Sequence, residues 1–170
     1  MANPLDYLIE HLSRHHRRED FDCGKAPLNR YLQQRYASQN DRNNISRAFV
    51  AIDAEQRVWG YFAISAASVS ASAFPPDTIK RLPRYPVPVA LIAQLAVDNG
   101  AQGTGLGSRL LIEAFKRIAN ALEQMAIRAV MVDAIDEDAQ LFYRKYGFIS
   151  FVDNPMKLFL PIETVVEAVK

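Results

Sequence analysis

The amino-acid sequence predicts a mixed α/β fold of the α+β type, built as one domain over residues 1–170. Two segments, 47–53 and 58–69, alternate between apolar and polar residues in the manner of two paired strands. A strand, a helix and a second strand then follow over 91–132, which predicts a right-handed βαβ unit with parallel strands. A hairpin around 153–155 closes the chain.

The first part of the chain combines a polar segment with one predicted helix. Residues 5–20 are mixed and polar, with a basic cluster at 14–18, and predict no element. Pro27 suits the first position of a helix, which is expected to run to about Gln39 and to end at the polar run 40–44. The apolar positions of this helix are Leu28, Tyr31, Leu32 and Tyr36.

The middle of the chain leads into the βαβ unit through a proline-rich segment. Gly60 within the second strand is expected to mark a bulge. Residues 74–88 contain five prolines, which predict a long loop, and a long loop inside a compact domain is more often functional than idle. The loop ends at an apolar strand predicted over 91–97.

The last part of the chain alternates helices and strands. The helix that follows the glycines has an apolar face formed by Leu106, Leu110, Ala114, Ile118 and Leu122. A buried strand is predicted over 127–132, and acidic residues at 136–138 favour the start of a second helix, which Gly147 ends. That helix carries Ala139, Phe142, Tyr143 and Tyr146 on one face. Amphipathic turns over 162–170 follow the closing hairpin.

Composition excludes several classes of protein. Apolar residues make up 49% and charged residues 23% of the chain, as in an ordinary globular protein. No uninterrupted apolar run approaches the roughly 18 residues of a membrane span, and the N-terminus lacks a signal-peptide pattern, so a cytoplasmic protein without membrane association is expected. The net charge of +1 does not by itself indicate a nucleic-acid-binding protein.

Cysteine and histidine offer little chemistry in this sequence. The single cysteine, Cys23, excludes an internal disulfide and is predicted to be a small buried side chain. The three histidines, His11, His15 and His16, lack the cysteine or acidic spacing of a metal site. We therefore expect no bound metal.

A glycine-rich segment links the 91–97 strand to the following helix and is the strongest candidate for a binding site. Strand, glycine loop and helix form an anion cradle, because glycines let a ligand approach and helix N-termini carry partial positive charge. A P-loop is excluded because Gly105 is followed by Leu106 and Gly107, not by lysine. A dinucleotide fingerprint beginning at Gly103 fails at Ser108. A tight strand-to-helix turn without a ligand is the alternative.

Two motifs together resemble the acetyl-CoA segments of GNAT-superfamily N-acetyltransferases. The first is Gln102-x-x-Gly105-x-Gly107 after Leu95-Ala96-Val97-Asp98. The second is Asp136-x-x-Ala139-x-x-Phe142-Tyr143-x-Lys145-x-Gly147-Phe148, with Asp136 where asparagine is common in the family. This resemblance implies a central, mostly antiparallel twisted sheet whose parallel βαβ unit splays to bind acetyl-CoA.

The chain is similar in particular to the GNAT toxins of bacterial type II toxin–antitoxin modules. The similarity covers roughly residues 20–160 and includes Phe21-Asp22-Cys23-Gly24, Leu28-Asn29-x-Tyr31-Leu32, Gly60-Tyr61-Phe62 and Val132-Asp133-Ala134. Gln94 stands where arginine is expected in many members. The resemblance implies an enzyme that acetylates the α-amino group of aminoacyl-tRNA, a homodimer, and a ribbon-helix-helix antitoxin as its partner.

The resemblance also implies roles for individual residues. Tyr143 would be the general acid that protonates the departing thiolate, with Tyr146 and then Tyr61 as alternatives, while Tyr143 as an ordinary core residue is the competing interpretation. The sequence identifies no general base. Acetyl-CoA would contact the end of the strand, the glycine loop and the following helix through Leu95, Ala96, Val97, Gln102, Gly103, Thr104, Gly105, Leu106, Gly107, Ser108 and Asp136.

Basic residues are the candidates for contact with a tRNA. The substrate-binding set is Arg30, Arg35, Arg47, Lys80, Arg81 and Arg84, within a wider group that includes Arg14, Arg17, Arg18 and Arg42. A solvated surface is the alternative interpretation of these charges. Two other functions stay open at this point: acetylation of a small amine or a protein N-terminus, and a non-catalytic nucleic-acid-binding protein on the same fold.

Overall fold

The structure is a computed structural model that describes residue 3 and residues 6–170. Met1, Ala2, Pro4 and Leu5 lie outside the described residues. The prediction that the N-terminus is not a signal peptide falls partly on these four residues. No helix in the described part of the chain is both long enough and apolar enough to cross a membrane.

Seven strands and five α-helices form a mixed α/β fold within the described residues. The strands are β1 (Leu8–His11), β2 (Arg47–Ile52), β3 (Val58–Val69), β4 (Val87–Val97), β5 (Ala129–Asp133), β6 (Ile149–Phe151) and β7 (Asn154–Pro161). The helices are α1 (Ala26–Gln33), α2 (Tyr36–Arg42), α3 (Leu106–Ala121), α4 (Glu137–Lys145) and α5 (Ile162–Ala168). The sheet order is β1-β2-β3-β4-β5-β7-β6.

Strand directions confirm the predicted βαβ unit. β4 pairs with β5 in parallel, from Val89 opposite Ala129 to Ile92 opposite Val132, and α3 connects the two strands. The pairs β1–β2, β2–β3, β5–β7 and β6–β7 are antiparallel. The chain therefore has the mixed, mostly antiparallel sheet with one parallel pair that the sequence predicts.

The chain divides into two compact units, of which the first comprises Met1–Ser65 and Ala93–Ala114. Its core forms around the fully buried side chains of Phe21, Leu32 and Tyr61. The rings of Phe21 and Tyr61 meet edge to face at 5.5 Å, and the Tyr61 hydroxyl donates to the Leu28 carbonyl at 2.7 Å. The Tyr61 side chain is thus buried with its hydroxyl hydrogen-bonded, and this contact holds α1 on β3.

Gly60 lies where β3 packs closely against the N-terminal half of α3. A Cβ atom there would stand 2.8 Å from Leu110 Cδ1 and 3.3 Å from the Ala96 carbonyl oxygen. The β2–β3 register shifts beside Gly60, because Ala51 pairs with Gly60 and Ile52 pairs with Val58. The bulge expected at Gly60 is confirmed, and the glycine is also needed for packing.

Gly60→Ala is expected to destabilise the protein by about 1–3 kcal/mol, the usual cost of overpacking a core. Thermal unfolding measures the change. Gly103→Ala is the matched control for space, because a Cβ atom at Gly103 would have no atom within 4 Å, although its φ of +78° makes a smaller strain cost expected. An unchanged melting temperature for Gly60→Ala would contradict the prediction.

The second unit comprises Ala66–Ile92 and Phe115–Lys170. Its core contains the rings of Phe74, Phe151 and Phe159, whose centroids lie 4.8–5.1 Å apart. The proline-rich segment is part of this unit, because Phe74 and Ile79 are buried in the core and the amide of Val152 donates to the Ala73 carbonyl at 3.0 Å.

The single helix predicted from Pro27 to Gln39 is wrong: the segment forms two helices. α1 ends at Gln33 because Gln34 is extended, with ψ −172°, and α2 begins at Tyr36 and continues to Arg42. In one continuous helix Tyr36 would share the buried face of Leu32. The break instead buries Ala37 and leaves Tyr36 53% exposed.

Two further differences from the prediction concern strands. β1 was not predicted, because its four residues show no alternation and the strand exists through pairing with β2, from Leu8 opposite Ile52 to His11 opposite Phe49. β4 begins at Val87, four residues before the predicted 91, and so contains Pro88. Pro88 has no main-chain N–H group that would need an acceptor, and its carbonyl accepts from the Arg128 amide at 2.9 Å.

Candidate functional site

The glycine segment forms a strand–loop–helix connection in the first unit. Gly103 and Gly105 have φ values of +78° and +95°, in the left-handed region that favours glycine. A short 3-10 turn, Asn99–Ala101, separates them from β4, and α3 begins at Leu106. Leu106 and Leu110 are fully buried, so the start of α3 is anchored in the core.

Main-chain amides at the start of α3 are the candidate anion-binding groups of this connection. The Arg109 amide donates to the Gly105 carbonyl at 3.1 Å. The amides of the first turn, which include those of Leu106 and Gly107, precede the point where helical carbonyls become available, so they carry the partial positive charge of the helix end. The loop thus has the chemistry of a phosphate site.

Two polar side chains of the loop, Gln102 and Thr104, form hydrogen bonds within the protein. The Gln102 amide nitrogen donates to the carbonyls of Val97 at 2.9 Å and Cys23 at 3.2 Å, and lies 3.3 Å from Asn99 Oδ1. The Thr104 hydroxyl donates to the Ala101 carbonyl at 2.5 Å. These two side chains therefore shape the loop, and the contacts predicted for Gln102 and Thr104 fall to their main-chain atoms.

The strand before the loop offers main-chain groups of the kind the prediction requires. Leu95 and Val97 are half-buried and Ala96 is buried, and all three belong to the last residues of β4. Ser108 lies half-buried in the first turn of α3. Every predicted cofactor-binding residue except Asp136 therefore belongs to this one connection in the first unit.

Helix α4 of the second unit carries the predicted catalytic tyrosine. Asp136 caps the helix, because its Oδ1 accepts from the Ala139 amide at 2.9 Å. Glu137 and Asp138 lie in the first turn and Arg144 and Lys145 in the last, which suits the helix dipole at both ends. The structure thus gives Asp136 a structural role, and its predicted contact with acetyl-CoA stays a prediction.

The Tyr143 side chain is buried in the second unit. The residue is 5% exposed, and its ring packs against Phe142 at 5.3 Å and Phe148 at 5.4 Å. Among the described residues the Tyr143 hydroxyl has no hydrogen-bond partner. Burial, and secondarily the charge of Asp133, raises the pKa of the phenol, so it stays protonated at neutral pH. The group can donate a proton and cannot act as a base.

The alternative tyrosines have different surroundings. Tyr61 is fully buried in the first unit, its hydroxyl proton is committed to the Leu28 carbonyl, and burial raises its pKa. Tyr61 is therefore a core residue and not an available acid. Tyr146 is half-buried at the C-terminal end of α4, with its ring 5.2 Å from Phe142.

The predicted substrate-binding residues fall into two groups, one in each unit. Arg30 and Arg35 are exposed, whereas Arg47 donates to the Asp41 carbonyl at 2.6 Å and to Asn44 Oδ1 at 2.5 Å. In the second unit Lys80, Arg81 and Arg84 are exposed on the proline-rich segment. All six side chains are thus accessible to solvent, and Arg47 is in addition held at the end of α2 by hydrogen bonds.

Two of the three histidines approach a carboxylate that the sequence spacing did not single out. One ligand atom each from Glu10, His15 and His16 lies within 4.8 Å of the others. The Ser13 amide donates to His16 Nδ1 at 2.9 Å, so the ring proton is on Nε2, which lies 2.6 Å from Glu10. The His16 ring thus joins the Ser13 main chain to the Glu10 carboxylate, and the absence of a bound metal stays a prediction.

Comparison with known proteins identifies the family. Residues 44–150 match the family described as acetyltransferase (GNAT) domain. A protein from Mycobacterium tuberculosis named tRNA-acetylating toxin is 38% identical over 140 residues, which are 82% of this chain and 82% of that protein.

Solved structures share the fold over almost the whole chain. The structure of AtaT complexed with acetyl-methionyl-tRNAfMet has a TM-score of 0.88 and 29% identity and covers 97% of this chain and 100% of that one. A tyrosine-to-phenylalanine mutant of AtaT, bound to the C-terminus of the antitoxin AtaR and to acetyl-CoA, has a TM-score of 0.81, 27% identity, and coverage of 94% and 96%. The chain therefore belongs to the GNAT family of acetyl-CoA-dependent N-acetyltransferases.

Proposed function

We propose that this enzyme transfers the acetyl group of acetyl-CoA to the α-amino group of aminoacyl-tRNA and acts as a translation-blocking toxin. The surroundings of Tyr143 carry the proposal, because its ring is buried against Phe142 and Phe148 and burial keeps the phenol protonated, as a proton donor requires. The relative named tRNA-acetylating toxin and the AtaT complex with an acetylated aminoacyl-tRNA support the choice of acceptor.

The proposed reaction is direct attack of the amine on the thioester. The amine nitrogen forms a bond to the acetyl carbonyl carbon, the carbon–sulfur bond breaks, and the thiolate takes a proton from Tyr143. The proton lost by the new amide restores the tyrosine through solvent. A phenol that is protonated at neutral pH suits a thiolate of pKa about 8–9. No base is assigned, because esterification lowers the pKa of the amino group and leaves much of it neutral.

The glycine loop is proposed to hold the donor. Amides at the start of α3 would bind the pyrophosphate of acetyl-CoA, with Gly103 and Gly105 allowing its close approach. The end of β4, at Leu95–Val97, would pair with the pantetheine arm in the manner of a further strand. Asp136 would lie near that arm.

Basic residues are proposed to hold the acceptor. Arg30, Arg35, Lys80, Arg81 and Arg84 are exposed and would contact tRNA phosphates, which give affinity without sequence readout. Arg47 is exposed as well and would contact phosphate from the position in which Asp41 and Asn44 hold it.

The proposal extends to partners and location. We infer a ribbon-helix-helix antitoxin, a homodimer and a cytoplasmic protein in which residues 1–170 form one domain. The AtaT structure with its antitoxin supports the antitoxin class of partner. The second candidate function, acetylation of a small amine or a protein N-terminus, is favoured by one observation: the net charge of +1 gives no overall excess of positive charge for a large polyanion.

Incubation with a mixed aminoacyl-tRNA pool and labelled acetyl-CoA separates the two functions. We expect label in the aminoacyl-tRNA fraction, on the α-amino group of the esterified amino acid, as identified by mass spectrometry after nuclease digestion. Deacylated tRNA and free amino acids are the controls and should stay unlabelled. Label confined to small amines or peptides would overturn the proposed acceptor while leaving the acetyltransferase activity intact.

A further inference from the structure

A tight turn at Phe21–Gly24 in the first unit has an internal network of side-chain hydrogen bonds. Asp22 Oδ1 accepts from the Gly24 amide and from the side-chain nitrogen of Asn29, both at 2.9 Å. Asn29 Oδ1 in turn accepts from the Cys23 amide at 2.9 Å. These bonds lower the pKa of Asp22, so its carboxylate stays charged at neutral pH. Asp22 and Asn29 together fix the shape of the Phe21–Gly24 turn.

The main chain of this turn is bonded to the segment that leads into the glycine loop. The Asp22 amide donates to Asp98 Oδ2 at 2.9 Å, and the Asn99 amide donates to the Asp22 carbonyl at 2.8 Å. The Gln102 side chain reaches the Cys23 carbonyl at 3.2 Å. Three hydrogen bonds thus join two residues of the turn, Asp22 and Cys23, to the stretch that begins at Asp98.

Asp98 connects the turn with the loop. It is 4% exposed, and its second oxygen, Oδ1, accepts from the Gly100 amide at 2.8 Å. The guanidinium of Arg57 lies 3.9 Å from Asp98 Oδ2 and stacks on the Trp59 ring at 3.9 Å. A buried carboxylate with all these partners is costly to move, so it transmits the position of the turn to the loop.

Close packing adds to the hydrogen bonds. Gly24 has a φ of +85°, and a Cβ atom there would stand 3.3 Å from Asn99 Oδ1. A side chain at this position would therefore press on Asn99, so glycine lets the turn lie close to the loop. By contrast Asp22 is itself exposed, so its side chain adds little burial to the stability of the unit.

We infer that Asp22 and Asn29 are positioning residues for acetyl-CoA, which act by holding the Phe21–Gly24 turn against the loop that binds the pyrophosphate. The inference rests on the proposed role of the glycine loop. Neither side chain needs to touch the ligand. We expect them to affect the affinity for acetyl-CoA. When a loop becomes ordered only on binding, the free energy of ordering it is subtracted from the free energy of binding.

Asp22→Ala is expected to weaken acetyl-CoA binding about five- to twentyfold in isothermal titration calorimetry. This change corresponds to the contribution of roughly one hydrogen bond, which in the parent protein holds the turn in place before the ligand binds. Asp22→Asn should restore affinity to within about threefold, because an amide oxygen accepts from the same two N–H groups. Asn29→Ala should match Asp22→Ala, and the double variant should be no weaker than either, since both remove the same support.

Two controls make the result specific. Asn154→Ala removes a comparable bond from a turn in the second unit, where Asn154 Oδ1 accepts from the Met156 amide at 3.0 Å, and should leave affinity unchanged. Gly105→Val tests the loop itself. If Gly105→Val abolishes binding and Asp22→Ala does not weaken it, the positioning role is overturned. If Gly105→Val leaves binding intact, the proposed role of the loop is what fails.

A merely structural role would give a different pattern. Asp22→Ala would then lower the melting temperature without raising the dissociation constant of the folded protein, and Asp22→Asn would not rescue affinity. That outcome would also overturn the inference. Thermal unfolding of each variant, measured with and without saturating acetyl-CoA, distinguishes the two cases.

Discussion

Tyr143→Phe is expected to lower turnover about 10²–10⁴-fold while acetyl-CoA binds as before, because the variant loses one proton donor and keeps the aromatic ring. The ring packing against Phe142 and Phe148 does not involve the hydroxyl, so folding should be preserved. Initial rates of acetyl transfer and calorimetric titration with acetyl-CoA measure the two quantities separately.

The raised pKa of Tyr143 adds a pH signature to this prediction. A phenol with an ordinary pKa of about 10 would lose its proton above that pH. Because burial raises the Tyr143 pKa, the rate should show no fall from loss of this proton up to pH 10.

Tyr146→Phe is the matched control for Tyr143→Phe, since it removes a hydroxyl from the end of the same helix. It should leave turnover within about threefold of the parent protein. Full activity in Tyr143→Phe, or a large loss confined to Tyr146→Phe, would remove Tyr143 from the role of general acid.

Gly105→Val is expected to abolish acetyl-CoA binding, with a rise of at least about 100-fold in the dissociation constant. The φ of Gly105 is +95°, and a β-branched residue in that region costs roughly 1–3 kcal/mol or forces the loop into another conformation. Either outcome displaces the amides at the start of α3. Calorimetry, together with thermal shift in acetyl-CoA, measures the loss.

Gly147→Val is the control for backbone strain. Gly147 has a φ of +93° at the end of α4, and a Cβ atom there would be 3.6 Å from Leu160 Cδ1, an ordinary contact. Its substitution should lower the melting temperature and leave the affinity for acetyl-CoA within about threefold. Equal losses of affinity in both variants would show that instability, and not the loop, explains Gly105→Val.

Local signals predicted most of the fold. β3 has the predicted bounds, Val58–Val69. Its alternating pattern and the turn before it both depend on residues that are close together in the sequence. Asp136 and Gly147 bound α4 through a capping bond and a positive φ, which depend on residue type. The parallel pairing of β4 and β5 follows from the crossover once α3 is recognised, because the helix returns the chain to the edge of the sheet at which β4 began.

The missed features depend on contacts between distant residues. β1 exists through pairing with β2, about forty positions along the chain. The break between α1 and α2 comes from the competition of Tyr36 and Ala37 for one buried position, which helical spacing alone cannot decide. No periodicity could show that Glu10 would meet His16, since β1 itself gave no signal.

The candidate site shows the same division. The two motifs predicted a loop that requires glycine and a tyrosine on the following helix. Gly105 has the positive φ that such a loop requires, and Tyr143 is buried on α4. The side chains of Gln102 and Asp136 turned inward to hold the loop and cap a helix, which a motif does not express. Arg47 likewise forms internal bonds that a count of basic residues cannot anticipate.

The Phe21–Gly24 turn limits how far the glycine motif can be treated as a portable unit. The bond from the Asp22 amide to Asp98 joins residues 76 positions apart, so the support for the loop is encoded far from the loop itself. A peptide of residues 93–114 would contain every glycine of the motif and none of the turn. Grafting that peptide into another scaffold should therefore transfer the sequence of the site without its affinity, unless the host supplies a turn in the same place.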